Sequence, residues 1–199
     1  MNSNADLPDL NVWLALAAPN HFHHQLALNY WEQQAAEQVH FCTVTALGLV
    51  RLLSQPKLMG PAVKTTHEAS AILQSLCQQP GVSLTTPASD GWDVFHQLMR
   101  EGDLSARLCT DAYFAALAIS NGWRLVSFDH VFKHFGALQR LTLRSGGSSD
   151  QPTLIQLSDG LKFRILMQQR CSAEKSRCGD PGISNGKPMQ RLDPGGLQQ

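Results

Sequence analysis

Asp111 stands at the mouth of an apolar run, Thr110-Asp111-Ala112-Tyr113-Phe114-Ala115-Ala116-Leu117-Ala118-Ile119. The run reads as a buried helix, capped at Thr110 and ended by a left-handed turn at Gly122. Trp123 to Asp129 reads as a short buried strand that delivers a second acid at its C-terminal end. A third, Asp9, lies near the end of a very short strand, in which Pro8 is tolerable only if the strand stops there. Each acid has an ordinary explanation, as a helix cap or a turn residue. Together they are three acids from distant parts of the chain, expected at one edge of one sheet. Grouped carboxylates repel, and burial makes this worse. A divalent cation relieves the repulsion, and all-oxygen ligation favours magnesium or manganese. A cation held that way can activate water and clamp a phosphodiester, so the chemistry indicated is metal-dependent phosphoryl hydrolysis. No Ser–His–Asp or Cys–His arrangement, Walker loop or dinucleotide fingerprint competes.

The elements that must position these acids alternate. Short strands are expected at Asp6–Pro8, Val39–Thr43, Val82–Leu84, Trp123–Asp129 and Gln139–Leu143. Between them lie an apolar helix after Asp9, a helix from His23 to about Glu37, and one from Thr45 to Leu53 capped by Thr43 or Thr45. A further helix starts in a Thr65/Glu68 capping box, and another is capped by Ser89 or Asp90 and carries Trp92, Phe95, Leu98 and Met99 as core. Residues 55–61 read as a loop, and His130–Phe135 as one helical turn. Gly48 inside a helix implies close packing. This alternation predicts an α/β fold with a parallel sheet of four to five short strands, covered on both faces. Ligands of such sheets sit outside the C-terminal strand ends.

Residues 1–145 carry 9 Lys/Arg against 11 Asp/Glu, so the core cannot hold nucleic acid by general attraction. Bound cations or a few placed arginines would have to do it; Arg51 and Arg107 are candidate phosphate contacts. Cys42, Cys77 and Cys109 read as small core residues, and the scattered cysteines suit a reducing cytoplasm. No run is long enough for a membrane span, and no secretory signal is visible. His21, His23 and His24 read as loop or cap histidines ahead of metal ligands. Residues 146–199 are a Gly/Pro/Ser-rich extension, expected to be largely disordered, in which Leu154–Leu157 and Leu161–Met167 suggest a short hairpin or docking helix.

Four blocks resemble the PIN-domain ribonucleases, specifically the VapC toxins of type II toxin–antitoxin systems. They are Pro8–Leu16, Thr45–Pro56, Thr110–Ala118 and Val126–Asp129, and the likeness spans about residues 7–143. The resemblance implies a three-layer α/β/α fold, a magnesium- or manganese-dependent endoribonuclease acting on RNA, an antitoxin partner that blocks the site, and a homodimer. In that pattern Asp9, Asp111 and Asp129 match the metal-binding acids, and Asn11 and Ser127 match polar residues beside them. Ala46 departs from it. That position usually holds an acid, and an alanine ligates nothing; Asp103 is the nearest substitute to suggest, although a surface turn acid is its ordinary reading. Ala46 therefore keeps open a non-enzymatic member that binds RNA or antitoxin without cleaving. A nuclease acting on DNA flaps is a more distant alternative.

Overall fold

The computed structural model describes residues 4–85, 90–102 and 104–144. The cap at Ser89, the acid at Asp103 and the extension from 146 onward lie outside the described residues, and so does the side chain of Asp90.

Five strands form one parallel sheet: β1 (Ala5–Pro8), β2 (Gln38–Cys42), β3 (Val82–Thr85), β4 (Arg124–Ser127) and β5 (Arg140–Thr142). Their order is β3-β2-β1-β4-β5, so the chain builds outward from β1 in one direction and then crosses to the other side. The switch lies between β1 and β4, where crevices for ligands form in open parallel sheets. Pro8 is tolerated at the end of this central strand for a specific reason. β1 pairs with β2 only through Ala5 and Asp6, whereas it stays beside β4 to Pro8↔Val126. The missing proline N–H falls where no ladder partner is needed, and the next N–H, that of Asp9, reaches Val126 O at 2.8 Å.

Helices cover both faces. On one side pack α1 (Leu10–Ala17), α2 (His24–Gln33), α3 (Thr43–Leu53) and α5 (Thr66–Cys77), with Val39, Phe41 and Val126 pointing into that layer. On the other lie α6 (Asp90–Glu101) and α7 (Cys109–Asn121), which meet Leu7, Cys42 and Leu125. Neighbouring strand residues face opposite layers, as the pleat requires. Trp13 of α1 stacks on Phe41 with ring centroids 3.7 Å apart. Gly48 of α3 faces Leu10; a Cβ there would come within 2.7 Å of the Leu10 side chain. The expected capping box is present, with Glu68 N donating to Thr65 Oγ1 at 3.2 Å and Thr65 N to Glu68 Oε2 at 2.8 Å.

Several local expectations are corrected. Residues 56–59 form a one-turn helix, α4 (Pro56–Met59), and a 3-10 turn follows over Gly60–Ala62; proline at the first helical position pre-sets the backbone there. α3 starts at Thr43 with Cys42 as its N-cap, and Thr45 is the third helical residue whose hydroxyl accepts the Cys42 N–H at 3.0 Å. Thr110 does not cap α7. A 3-10 turn at Ala106–Leu108 runs directly into the helix, which places Thr110 second in the first turn. Cys109, one position before it, is exposed, because the buried stripe of α7 begins only at Ala112. Trp92 is 48% exposed while Phe95, Leu98 and Met99 pack inward. Gly122 ends α7 in the left-handed conformation at φ 65°.

Candidate active site

Asp9 caps α1, immediately beyond β1. Its Oδ1 accepts the N–H of Leu10 at 2.6 Å, which satisfies a free donor of the first turn. Its Oδ2 accepts from the hydroxyl of Ser127 at 2.9 Å. Ser127 is the last residue of β4 and is buried. Its oxygen also accepts the N–H of Asp129 at 3.0 Å and an Nδ2–H of Asn11 at 3.1 Å. One hydroxyl thus ties together the ends of the two strands that flank the topological switch. Asp129 in turn accepts the N–H of Val131 at 3.0 Å and starts the 3-10 turn Val131–His134. Asp111 comes from the other layer, in the first turn of α7, where a carboxylate complements the helix dipole.

The three acids share an electric field. Burial pushes the Asp9 carboxyl up to about 6; the bonds from Ser127 and Leu10 oppose this, and the charges of Asp111 and Asp129 add to it. Asp111 is raised as well, first by burial and then by Asp129. The charges of Asp111 and Asp129 reach Asp9, and that of Asp129 reaches Asp111. Among the described residues, however, no group of three or more His, Cys, Asp or Glu side chains is placed to hold a metal ion. The acids are near enough to feel one another's charge, but they do not form a ligand cage. A buried oxygen adjoins them: Asn11 Oδ1 has no hydrogen-bond partner among the described residues.

Residues 7–138 match the family model for the PIN domain. The chain belongs to the PIN-domain family. Its curated relatives include ribonuclease VapC41 of Mycobacterium tuberculosis, 31% identical over 142 residues that cover 67% of this chain and 94% of that one. Ribonuclease VapC39 of the same organism is 36% identical over 127 residues, covering 62% and 87%. Among solved structures, VapBC2 of Rickettsia felis bound to a promoter DNA fragment superposes with a TM-score of 0.53 at 11% identity, over 70% of this chain and 99% of that one. VapC20 of M. tuberculosis, described as a sarcin–ricin loop cleaving toxin, gives 0.52 at 19% identity over 66% and 95%. These two likenesses bear on the fold, which is that of a PIN domain.

The remaining candidates of this PIN domain fall in different places. Arg107 is exposed in the turn just before α7, four residues ahead of Asp111. Arg51 is exposed near the end of α3, about 12 Å down the helix from the edge at the usual rise per residue. Ala46 is 5% exposed and packs in the core beneath α1. The three histidines are neighbours, with the His21 and His23 rings 5.9 Å apart, but they form no metal-holding group among the described residues. His24 Nδ1 donates to Ala15 O at 2.6 Å, His21 Nδ1 accepts from His23 N at 3.2 Å, and the His23 ring stacks on Phe128 at 4.3 Å.

One important residue was not picked out from the sequence. Asp6 in β1 is fully buried and accepts four hydrogen bonds from three residues: Arg124 Nε at 2.8 Å and Nη2 at 2.9 Å, Tyr30 OH at 2.8 Å and Ala36 N at 2.9 Å. It locks β1 to β4 and to the end of α2 at the opposite edge from the acids. The signal available was an acid inside a strand that is otherwise apolar, which demands a cation.

Proposed function

We propose that this protein is a toxin-type, metal-dependent endoribonuclease in which Asp9, Asp111 and Asp129 hold a magnesium or manganese ion. The observation that carries the reading is the convergence of these three repelling carboxylates at the topological switch of a PIN fold. The donor set suits the ion: it is all oxygen, as hard cations prefer. When bound, such an ion supplies an activated water and charge stabilisation at a phosphodiester. The chain's own residues do the rest. Ser127 fixes the Asp9 carboxylate, Asn11 fixes Ser127, and Arg107 and Arg51 are the proposed phosphate contacts. RNA as substrate, an antitoxin as blocking partner and a homodimer as working unit are part of this reading. The curated relatives' names and the solved complex with its antitoxin support the first two. No described helix is long and apolar enough to cross a membrane.

The test is magnesium-dependent cleavage of RNA by the wild type and by Asp111→Asn. Cleavage by the wild type alone is expected; equal activity in both, or none in either folded protein, sinks the reading.

A second reading is favoured by Ala46, whose methyl group is buried in the core and offers no ligand. Losing a carboxylate there would leave a PIN protein that binds RNA or antitoxin without cleaving. Titration calorimetry with manganese separates the two: the enzyme reading expects binding below millimolar, the binding-protein reading none.

A further inference from the structure

A cavity of about 350 Å³ lies between the connection from α1 to α2 and the stretch that runs from the end of α3 through α4 to Lys64. Leu14, Phe22, Leu53, Leu58 and Met59 line it, so its wall is largely apolar. Two of these side chains stand in water, Phe22 at 91% exposure and Leu58 at 53%. Val63, next in the chain to the lining residues Ala62 and Lys64, is exposed as well. Single exposed apolar side chains are ordinary, but several around one concave apolar wall mark a surface that something covers. None of the three acids lines it.

We propose that this cavity is the docking site of the chain's own residues 161–167, with Phe163 against Phe22 and Leu58. Leu161-Lys162-Phe163-Arg164-Ile165-Leu166-Met167 is the densest apolar run beyond Arg144. The Gly/Pro/Ser-rich sequence around it offers no core of its own. Leu161, Phe163, Ile165 and Met167 alternate with Lys162 and Arg164, so an extended segment presents the four to an apolar wall and both cations to water. The tether starts close by: Leu143 belongs to the same core layer as Leu14 and Leu53 of the cavity wall. Residues 145–160 separate Arg144 from Leu161, and fully extended they reach about 50 Å. Gly146-Gly147-Ser148-Ser149 makes that tether flexible. A short flexible tether holds its cargo at roughly millimolar effective concentration, so modest apolar contact suffices for docking. Docking of this kind is independent of metal and of RNA cleavage. Its consequence is competition: any separate partner must displace the segment before it can use the same wall.

The test is photo-cross-linking in the full chain, with Phe163 replaced by p-benzoylphenylalanine and the links mapped by mass spectrometry. Links are expected within one chain, to the peptides holding Phe22 or Leu58 and Met59, with a yield that dilution does not change. Leu58→Asn alters the wall at a residue already half in water, and Ile165→Asn alters the segment. Each should cut the yield about tenfold, since each removes one large apolar side chain from the contact. Full yield in both variants would mean proximity without apolar seating and overturns the proposal. Links that join two chains and fade on dilution make a second copy the occupant, which overturns it too. Links scattered over the surface, or none to those peptides, leave the wall to a separate partner and likewise end the proposal.

Discussion

Asp9 carries opposing demands at the level of a single residue. As a cap it stabilises α1, and as a buried carboxylate beside two others it destabilises the metal-free protein. The sign follows from linkage. Its carboxyl is pushed up to about 6 from 3.8, so the folded state holds the proton more tightly than the unfolded state. That contribution is fully present below about pH 4 and is lost as pH rises through about 6. Asparagine caps as well as aspartate and carries no charge. Asp9→Asn is therefore expected to be about as stable as wild type at pH 4 and more stable at pH 7.5, by up to about 3 kcal/mol for a shift of this size. Urea unfolding of both proteins across that range measures it. A constant difference at all pH values would mean that the charge of Asp9 is not what the fold works against. Such an acid was readable from the chain because it stands at a strand-to-helix boundary, where turn and cap signals are strongest. Its bond to Ser127 was not. That contact joins residues 118 positions apart and exists only because Pro8 lies opposite Val126 in the sheet.

Among the elements, the alternation of strands and helices and the parallel, two-faced sheet were legible from apolar runs with caps and glycine stops; the strand order β3-β2-β1-β4-β5 was not. The starts of α3 and α7 were not, because backbone turns and a cysteine replace the expected threonine caps. Asp6 escaped notice because all four residues of β1 are buried, so the strand shows no alternation to make a polar residue stand out. Its role gives a firm expectation. Arg124→Met removes the cation that faces a fully buried carboxylate and leaves the charge uncompensated, which costs about 3–5 kcal/mol. Chemical denaturation reads this directly; a loss under about 1 kcal/mol would show that Tyr30 and the Ala36 N–H suffice to hold Asp6 without the guanidinium. The β2–β3 edge has its own lock. Gly81 adopts φ 74°, and a Cβ on it would strike the carbonyl oxygen of Glu37. Gly81→Ala should lose about 2 kcal/mol or more, since both the backbone angle and a rigid neighbour oppose it. Gly122→Ala is the control, with φ 65° but open space around the missing Cβ, and it should lose distinctly less.

For the whole molecule the decisive quantity is charge. Residues 1–145 hold 9 Lys/Arg against 11 Asp/Glu, and the rest of the chain holds 7 against 5. A polyanion gains nothing from the average field of the PIN domain, so under the proposed function RNA would be held through the divalent cation and a few exposed arginines. Each phosphate neutralised by the protein contributes a slope of about −0.7 to log K against log salt for single strands. With Arg107 and Arg51 as the cationic contacts, the slope at fixed magnesium should be shallow, about −1.5, and removing magnesium should weaken binding far more than doubling the salt. Fluorescence anisotropy with a labelled single-stranded RNA and an uncleavable backbone measures both. The same titration on a chain ending at Arg144 decides what the extension contributes. Its excess of two positive charges is small and spread over more than fifty residues, so the shortened protein should give the same slope. A full-length slope steeper by 2 or more would assign RNA binding to the extension, and the acidic core would then need only to cut what the extension holds.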